Sequence, residues 1–135
     1  MTPSRTLRVV LDTNFLMLPL RFGVDLRSEI GRVLLASFTL ATTPAVVDEL
    51  KRLRTQVRPA EVKDVDFALA LTERIDKVDD TLREGEEVDD QLLRIGGDGY
   101  IVATTDAELR KRLRARSIPV IFLRQSRYLA VEGLI

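Results

Sequence analysis

Apolar and polar positions follow two different periods along this chain. The run Leu7 to Leu11 is apolar but for Arg8. It breaks into Asp12, Thr13 and Asn14, then resumes as Phe15-Leu16-Met17-Leu18. A short apolar run that stops at a turn signal predicts a buried strand. The segment "DLRSEIGRVLLAS" carries Ile30, Val33 and Leu34 at helical spacing. "FTLATT" reads as a short strand closing on Thr43-Pro44, with Thr43 able to cap a helix and Pro44 to take its first position. In "PAVVDELKRLRTQV" the residues Val46, Leu50, Leu53 and Val57 share one face, which predicts an amphipathic helix. From Pro59, "PAEVKDVDFALALTERIDKV" repeats the helical pattern, with Val62, Phe67, Leu69 and Leu71 among its apolar positions. A charged link, "DDTLREGEE", leads to a short helix around "VDDQLLRI". "GGDG" reads as a turn, "YIVATT" as a buried strand, "AELRKRLRAR" as a helix and "PVIFLR" as a last β-rich run. No internal repeat or low-complexity linker interrupts the series.

Strands separated by helices predict an α/β fold with a largely parallel sheet and right-handed crossovers. Such sheets keep their sites outside the carboxyl ends of the strands, which is where Asp12 falls. The 135 residues suit a single domain spanning 1–135 that buries roughly two-thirds of its unfolded surface. No apolar run approaches the length of a bilayer span, so no membrane is expected. The N-terminus enters the first strand without a separate signal region, and a cytoplasmic location is expected.

Absences narrow the chemistry. With no cysteine, disulfides and thiolate metal sites are excluded; with no histidine, so are the usual zinc sites, the Ser-His-Asp triad and a histidine base. Catalysis is left to carboxylates, Lys, Arg, Tyr, Ser or Thr, and any metal to oxygen ligands. Abundant charge, no cysteine and a single asparagine, Asn14, fit an organism that grows hot.

Net charge is zero but unevenly spread. Acids outnumber bases between Glu61 and Asp90, whereas Arg110 to Arg127 holds seven basic residues and no acid. A basic face suits a polyanion partner; the plainer reading is a solvated helix face.

Four acidic positions each have an ordinary explanation. Asp12 can end a strand, and Glu49 can complement a helix dipole. Asp89 and Asp90 can cap a helix, and Asp106 can sit inside a capping box of Thr105 and Glu108. Together they mean more. Asp12 and Asp106 leave the same sheet edge, and helices starting there can aim Glu49 and Asp90 at one cleft. Converging carboxylates without Lys or His repel one another unless a cation joins them. A hard divalent ion with oxygen ligands meets that need, with Asn14 and Thr105 bonding to the carboxylates or to its waters. No nucleophilic side chain is evident, so activated water and phosphodiester hydrolysis are expected.

The stretches "VVLDTNFLM", "TPAVVDELKRL", "VDDQLLRI" and "YIVATTDAELRKRLR" resemble, in order, the four acidic motifs of PIN-domain ribonucleases. The resemblance runs from Arg8 to about Tyr128, and its first and last motifs are the specific ones. "DTNFLM" followed by "FGVDL", with "PVIFLR" and "RYL" late in the chain, looks closest to the PIN nucleases of the eukaryotic small-subunit processome and their archaeal relatives. It implies a Rossmann-like three-layer α/β/α sandwich and a Mg²⁺- or Mn²⁺-dependent endoribonuclease of single-stranded RNA or an rRNA precursor. The family's acids fall on Asp12, Glu49 and Asp106, with Asp90 as the third and Asp89 as its alternative. Arg110, Lys111, Arg112 and Arg114, with Arg124 and Arg127, would grip the RNA backbone, and Tyr128 or Phe22 would stack a base. Ribosome-assembly factors are the implied partners. The tail "YLAVEGLI" would either join a homodimer or finish the sheet. Alternatives are a toxin of a toxin–antitoxin pair and a non-catalytic RNA-binding module. A phosphoacceptor receiver domain wants paired acids after the first strand and a catalytic late lysine. Here one Asp stands there, and Lys111 lies in a basic helix.

Overall fold

Val9, Val10 and Leu11 have no exposed surface and form the centre of β1 (Leu7–Leu11), as their uninterrupted apolarity predicts for a strand covered on both faces. The structure, a computed structural model, describes residues 6–135. The reading of the N-terminus as lacking a signal region falls in part on residues 1–5, outside the described residues. After β1 come α1 (Leu18–Phe22), α2 (Leu26–Leu34), β2 (Phe38–Thr42), α3 (Pro44–Arg54), α4 (Val62–Thr72) and β3 (Asp76–Lys77). The chain continues through α5 (Val88–Gly97), β4 (Ile101–Ala103), α6 (Ala107–Ala115), β5 (Val120–Arg124) and β6 (Tyr128–Glu132).

The six strands make one sheet in the order β3-β2-β1-β4-β5-β6, all parallel except β6. Right-handed crossovers put α2, α3 and α4 over one face and α5 and α6 over the other, a Rossmann-like three-layer α/β/α sandwich. The winding reverses between β1 and β4. That switch point opens a crevice at the carboxyl ends of the two central strands.

Local chemistry explains the helix starts. Asp25 caps α2 by accepting from Ser28 N at 3.2 Å. Thr43 caps α3 by accepting from Val46 N at 3.1 Å, with Pro44 in the first turn, as expected. The apolar tail finishes the sheet, since β6 pairs antiparallel with β5. Its outer edge is closed by α2: Leu129 N donates to Glu29 at 2.9 Å, and Arg32 donates to Leu129 O at 2.7 Å. This covers backbone groups that would otherwise invite strand pairing.

Three expectations change. The helix begun at Pro59 stops at Thr72 rather than running to Val78, and Asp76-Lys77 becomes a short edge strand beside β2. Its buried face is Val65, Ala68 and Thr72, while Phe67 is largely exposed. Small residues are buried there because α4 crosses closely over α3 and the Phe15–Met17 turn. Gly96 and Gly97 end α5 instead of opening a turn, which falls at Asp98-Gly99. No described helix is long and apolar enough to cross a membrane.

Candidate active site

At the switch point the backbone of Asp12 is tied to the neighbouring strand, its N–H donating to Ala103 O at 2.9 Å. The pairing of Leu11 with Ala103 sets Asp12 beside Thr104, whose hydroxyl donates to Asp12 Oδ2 at 2.7 Å. Thr13 N donates to the other oxygen at 2.7 Å. Asp12 is only 4% exposed, and this burial pushes its pKa up to about 6. The two hydrogen bonds pull the value down, while the charges of Asp89 and Glu49 push it further up. The Thr13 hydroxyl, buried next to it, finds no partner among the described residues.

Three more elements bring acids to the same place. Glu49 comes from α3. The start of that helix is fixed to α5, because the capping Thr43 hydroxyl also donates to the fully buried Gln91 Oε1 at 2.8 Å. Asp89 comes from the first turn of α5, and burial, then the charges of Asp106 and Glu49, raise its pKa. Asp106 caps α6, its Oδ1 accepting from Glu108 N at 2.8 Å and Leu109 N at 3.2 Å. Asp12, Glu49, Asp89 and Asp106 line one cavity of about 240 Å³ together with Asn14 and Glu87, and no basic side chain enters it.

Two adjacent-residue expectations are corrected. The acid of α5 that faces the cavity is Asp89, not Asp90. Asp90 sits one residue further round the helix, where it accepts from Glu87 N at 3.0 Å and pairs with Arg112 at 2.9 Å. The backbone bond, then Arg112, hold its pKa below the usual carboxylate value. The threonine that orients Asp12 is Thr104, not Thr105. Thr105 is exposed, and Asp106 rather than Thr105 caps α6. Thr104 Oγ1 also accepts from Asp106 N at 3.0 Å, so one hydroxyl ties two acids together.

The donors are all oxygen, in a cluster that has no cation of its own. Such a set suits a hard divalent ion. As the side chains stand, no three acids among the described residues close on a single point.

The expected RNA-gripping residues do not form one face. Arg110 lies over the Phe122 ring, 4.2 Å from its centroid, and lines a second cavity of about 430 Å³ beside the acids. Arg112 is taken by Asp90. Arg114 donates to Ile118 O and pairs with Glu132. Lys111 is exposed on α6, and Arg124 and Arg127 are exposed at the β5–β6 turn beyond the carboxyl edge of the sheet. A larger cavity, about 700 Å³, lies elsewhere, between α5 and α6. Its Asp90 and Glu86 are paired with Arg112 and Arg94, whereas the acids of the smaller cavity have no basic partner among its lining residues. Sequence reasoning passed over Thr104, Glu87, Gln91 and Arg21. Strand register would have found Thr104, which stands opposite Asp12; the others had no local signal.

Comparison with known proteins identifies the family. A family model described as a PIN like domain matches residues 9–126. The chain is 30% identical over 132 residues to Ribonuclease VapC4 of Methanocaldococcus jannaschii, covering 95% of the chain and 98% of that protein. It is 28% identical over 123 residues to the rRNA-processing protein FCF1 homolog of Mus musculus, covering 89% of the chain and 59% of that protein. The solved structure of the PIN domain endonuclease Utp24 superposes with a TM-score of 0.77 at 26% identity, covering 95% of this chain and 92% of that one. Both the acid-lined crevice and the span of these matches lead to one assignment: the chain belongs to the PIN-like domain family.

Proposed function

We propose that the chain is a single-domain endoribonuclease that hydrolyses phosphodiester bonds in single-stranded RNA with Mg²⁺ or Mn²⁺. One observation carries the reading: Asp12, Glu49, Asp89 and Asp106, from four separate elements, line one cavity at the sheet's switch point without a basic partner. Ser, Thr, Lys and Tyr are absent from the cavity lining, and the proposed attacking group is water activated by the ion. Asp12, Asp89 and Asp106 would hold the ion, with Glu49 bound directly or through water. When bound, a divalent ion supplies Lewis acidity, lowering the pKa of water and offsetting charge on the phosphate. Thr104 keeps Asp12 and Asp106 in register, and Asn14 at the cavity wall is placed to hydrogen-bond water or phosphate.

The similarity to an rRNA-processing protein supports an rRNA precursor as the substrate class, and that to the PIN domain endonuclease Utp24 supports an endonuclease. The match over nearly all of VapC4, a protein named as a ribonuclease, supports ribonuclease activity in this domain.

The test is cleavage of a structured and a single-stranded RNA with and without Mn²⁺ or Mg²⁺. Cleavage should require the ion. It should fall by about a hundredfold or more in Asp12→Asn combined with Asp106→Asn, since losing outer partners alone costs about tenfold to a hundredfold. A double variant that cleaves like wild type would place the chemistry elsewhere.

A further inference from the structure

The cavity that holds the acids shares two walls, Asn14 and Asp106, with the second hollow of about 430 Å³. The chemistry changes across that boundary. The second hollow joins the cations of Arg21 and Arg110 to the apolar surfaces of Leu18, Phe22 and Phe122. Its volume lies within the range of small-ligand sites, about 300–1,000 Å³.

Two features suit it to a ligand that is planar at one end and anionic at the other. The Arg110 guanidinium carbon lies over the Phe122 ring, 4.2 Å from its centroid, and among the described residues the side chain has no carboxylate partner. Its neighbours on α6, Arg112 and Arg114, are both paired. Phe22 occupies the last position of α1, where Gly23 at φ +66° ends the helix, and its ring is 47% exposed at the rim of the hollow. Arg21, next to it, is only loosely tied to Asp64 at 3.4 Å.

We infer that this hollow seats one unpaired nucleotide adjacent to the scissile phosphate, with its base on the Phe22 ring and its phosphate on Arg110 and Arg21; the identity of the ligand rests on the nuclease reading above. A base held in a duplex reaches such a ring only by giving up its pairing and stacking, so the seat selects single strands. Every base has a π-face, so the seat is tolerant of sequence. Single-strand preference then belongs to the domain itself rather than to a partner.

Two oligomers separate the seat from the chemistry. Binding of a fluorescent hexa-adenylate and of a hexamer of abasic ribose phosphate is measured by anisotropy in EDTA, where no metal-dependent cleavage competes. The proteins are wild type, Phe22→Ala, Phe22→Leu and Arg110→Ala. Wild type should prefer the base-bearing strand by about tenfold or more. Both Phe22 variants should lose most of that preference, and Arg110→Ala should weaken both strands alike. Phe22→Leu keeps apolar bulk at the rim, so a matching melting temperature separates loss of the ring from loss of the fold. Equal binding of the two strands by wild type, or an unchanged preference in the folded Phe22 variants, overturns the seat. Cleavage of hexa-adenylate in Mn²⁺ is read in parallel. A base preference that depends on Phe22 without any cleavage upholds the seat and sinks the nuclease reading; cleavage without the preference sinks the seat alone.

Discussion

Asp12 meets opposed demands. Its proposed role in holding a cation requires its charge, yet burial raises its pKa to about 6, and the hydrogen bonds from Thr13 N and Thr104 Oγ1 only partly offset that. The folded protein therefore binds the Asp12 proton more tightly than the unfolded chain does. Its contribution to stability is favourable in acid and is lost as pH rises from the ordinary value of 3.8 through about 6. The shift corresponds to about 3 kcal/mol at most, at about 1.4 kcal/mol per pH unit. In metal-free buffer at pH 7, Asp12→Asn should be more stable than wild type by about 1–3 kcal/mol, allowing for the disturbed bond to Thr104. The gap between the two should close below pH 4, as followed by urea titration at a series of pH values. Mg²⁺ should then stabilise wild type by mass action and leave the variant unmoved. A gap independent of pH would show that Asp12 is charged throughout and that burial does not govern it. Asp12 was legible in the sequence because a charge interrupting an apolar run has few explanations. The choices between Asp89 and Asp90, and between Thr104 and Thr105, were not. Each pair is adjacent and chemically alike, and only helix rotation or strand register separates them.

The elements that frame the site depend on close approach as much as on apolar pattern. Gly96 is the clearest case. A Cβ there would lie 2.9 Å from Ile118 Cγ2, 3.2 Å from Val102 Cγ2 and 3.3 Å from Leu113 Cδ2, so α5 sits on β4 and α6 with no room for a methyl group. Gly96→Ala should destabilise the fold by about 1–3 kcal/mol through overpacking, outweighing a helix-propensity gain of about 1 kcal/mol. Gly97, next to it, has nothing within 4 Å of an added Cβ. Gly97→Ala should be neutral or stabilise by up to about 1 kcal/mol. Urea midpoints of the two variants measure the contrast, and equal effects would refute the packing account. This is also why "GGDG" misleads as a sequence. Glycine is the usual turn residue, and nothing local tells a turn from a helix that must lie flat on its neighbours. The same holds for α4, where Val65, Ala68 and Thr72 are buried and the larger Phe67 is not. The centres of strands β1, β4 and β5, by contrast, were readable because burial on both faces writes an apolar run, and β2 because its β-rich FTLAT closes on the Thr43-Pro44 helix start.

Across the whole molecule the charge of zero conceals a local conflict. In the proposed reaction RNA must bring phosphate up to a cavity of unpaired carboxylates, while part of the basic surface is spent on pairs such as Arg112 with Asp90 and Arg94 with Asp80 and Glu86. Without a divalent ion the acids should repel the substrate that Arg110 and Arg21 attract. Affinity for single-stranded RNA should therefore rise on adding Mg²⁺, against the usual weakening that added salt brings. Removing one carboxylate several ångströms from a phosphate is worth about 1 kcal/mol, or roughly fivefold in affinity, before screening. Asp89→Asn should bind RNA more tightly than wild type in EDTA and gain less from Mg²⁺, because it has lost both the repulsion and a ligand. Asp90→Asn should keep the Mg²⁺ gain of wild type, since Asp90 faces Arg112 rather than the cavity. Stopped-flow anisotropy at constant ionic strength, read before cleavage sets in, gives both affinities. If Asp90→Asn loses the Mg²⁺ gain and Asp89→Asn keeps it, α5 presents its other acid to the ion. If neither changes, the ion binds outside the crevice and the converging acids have no shared task.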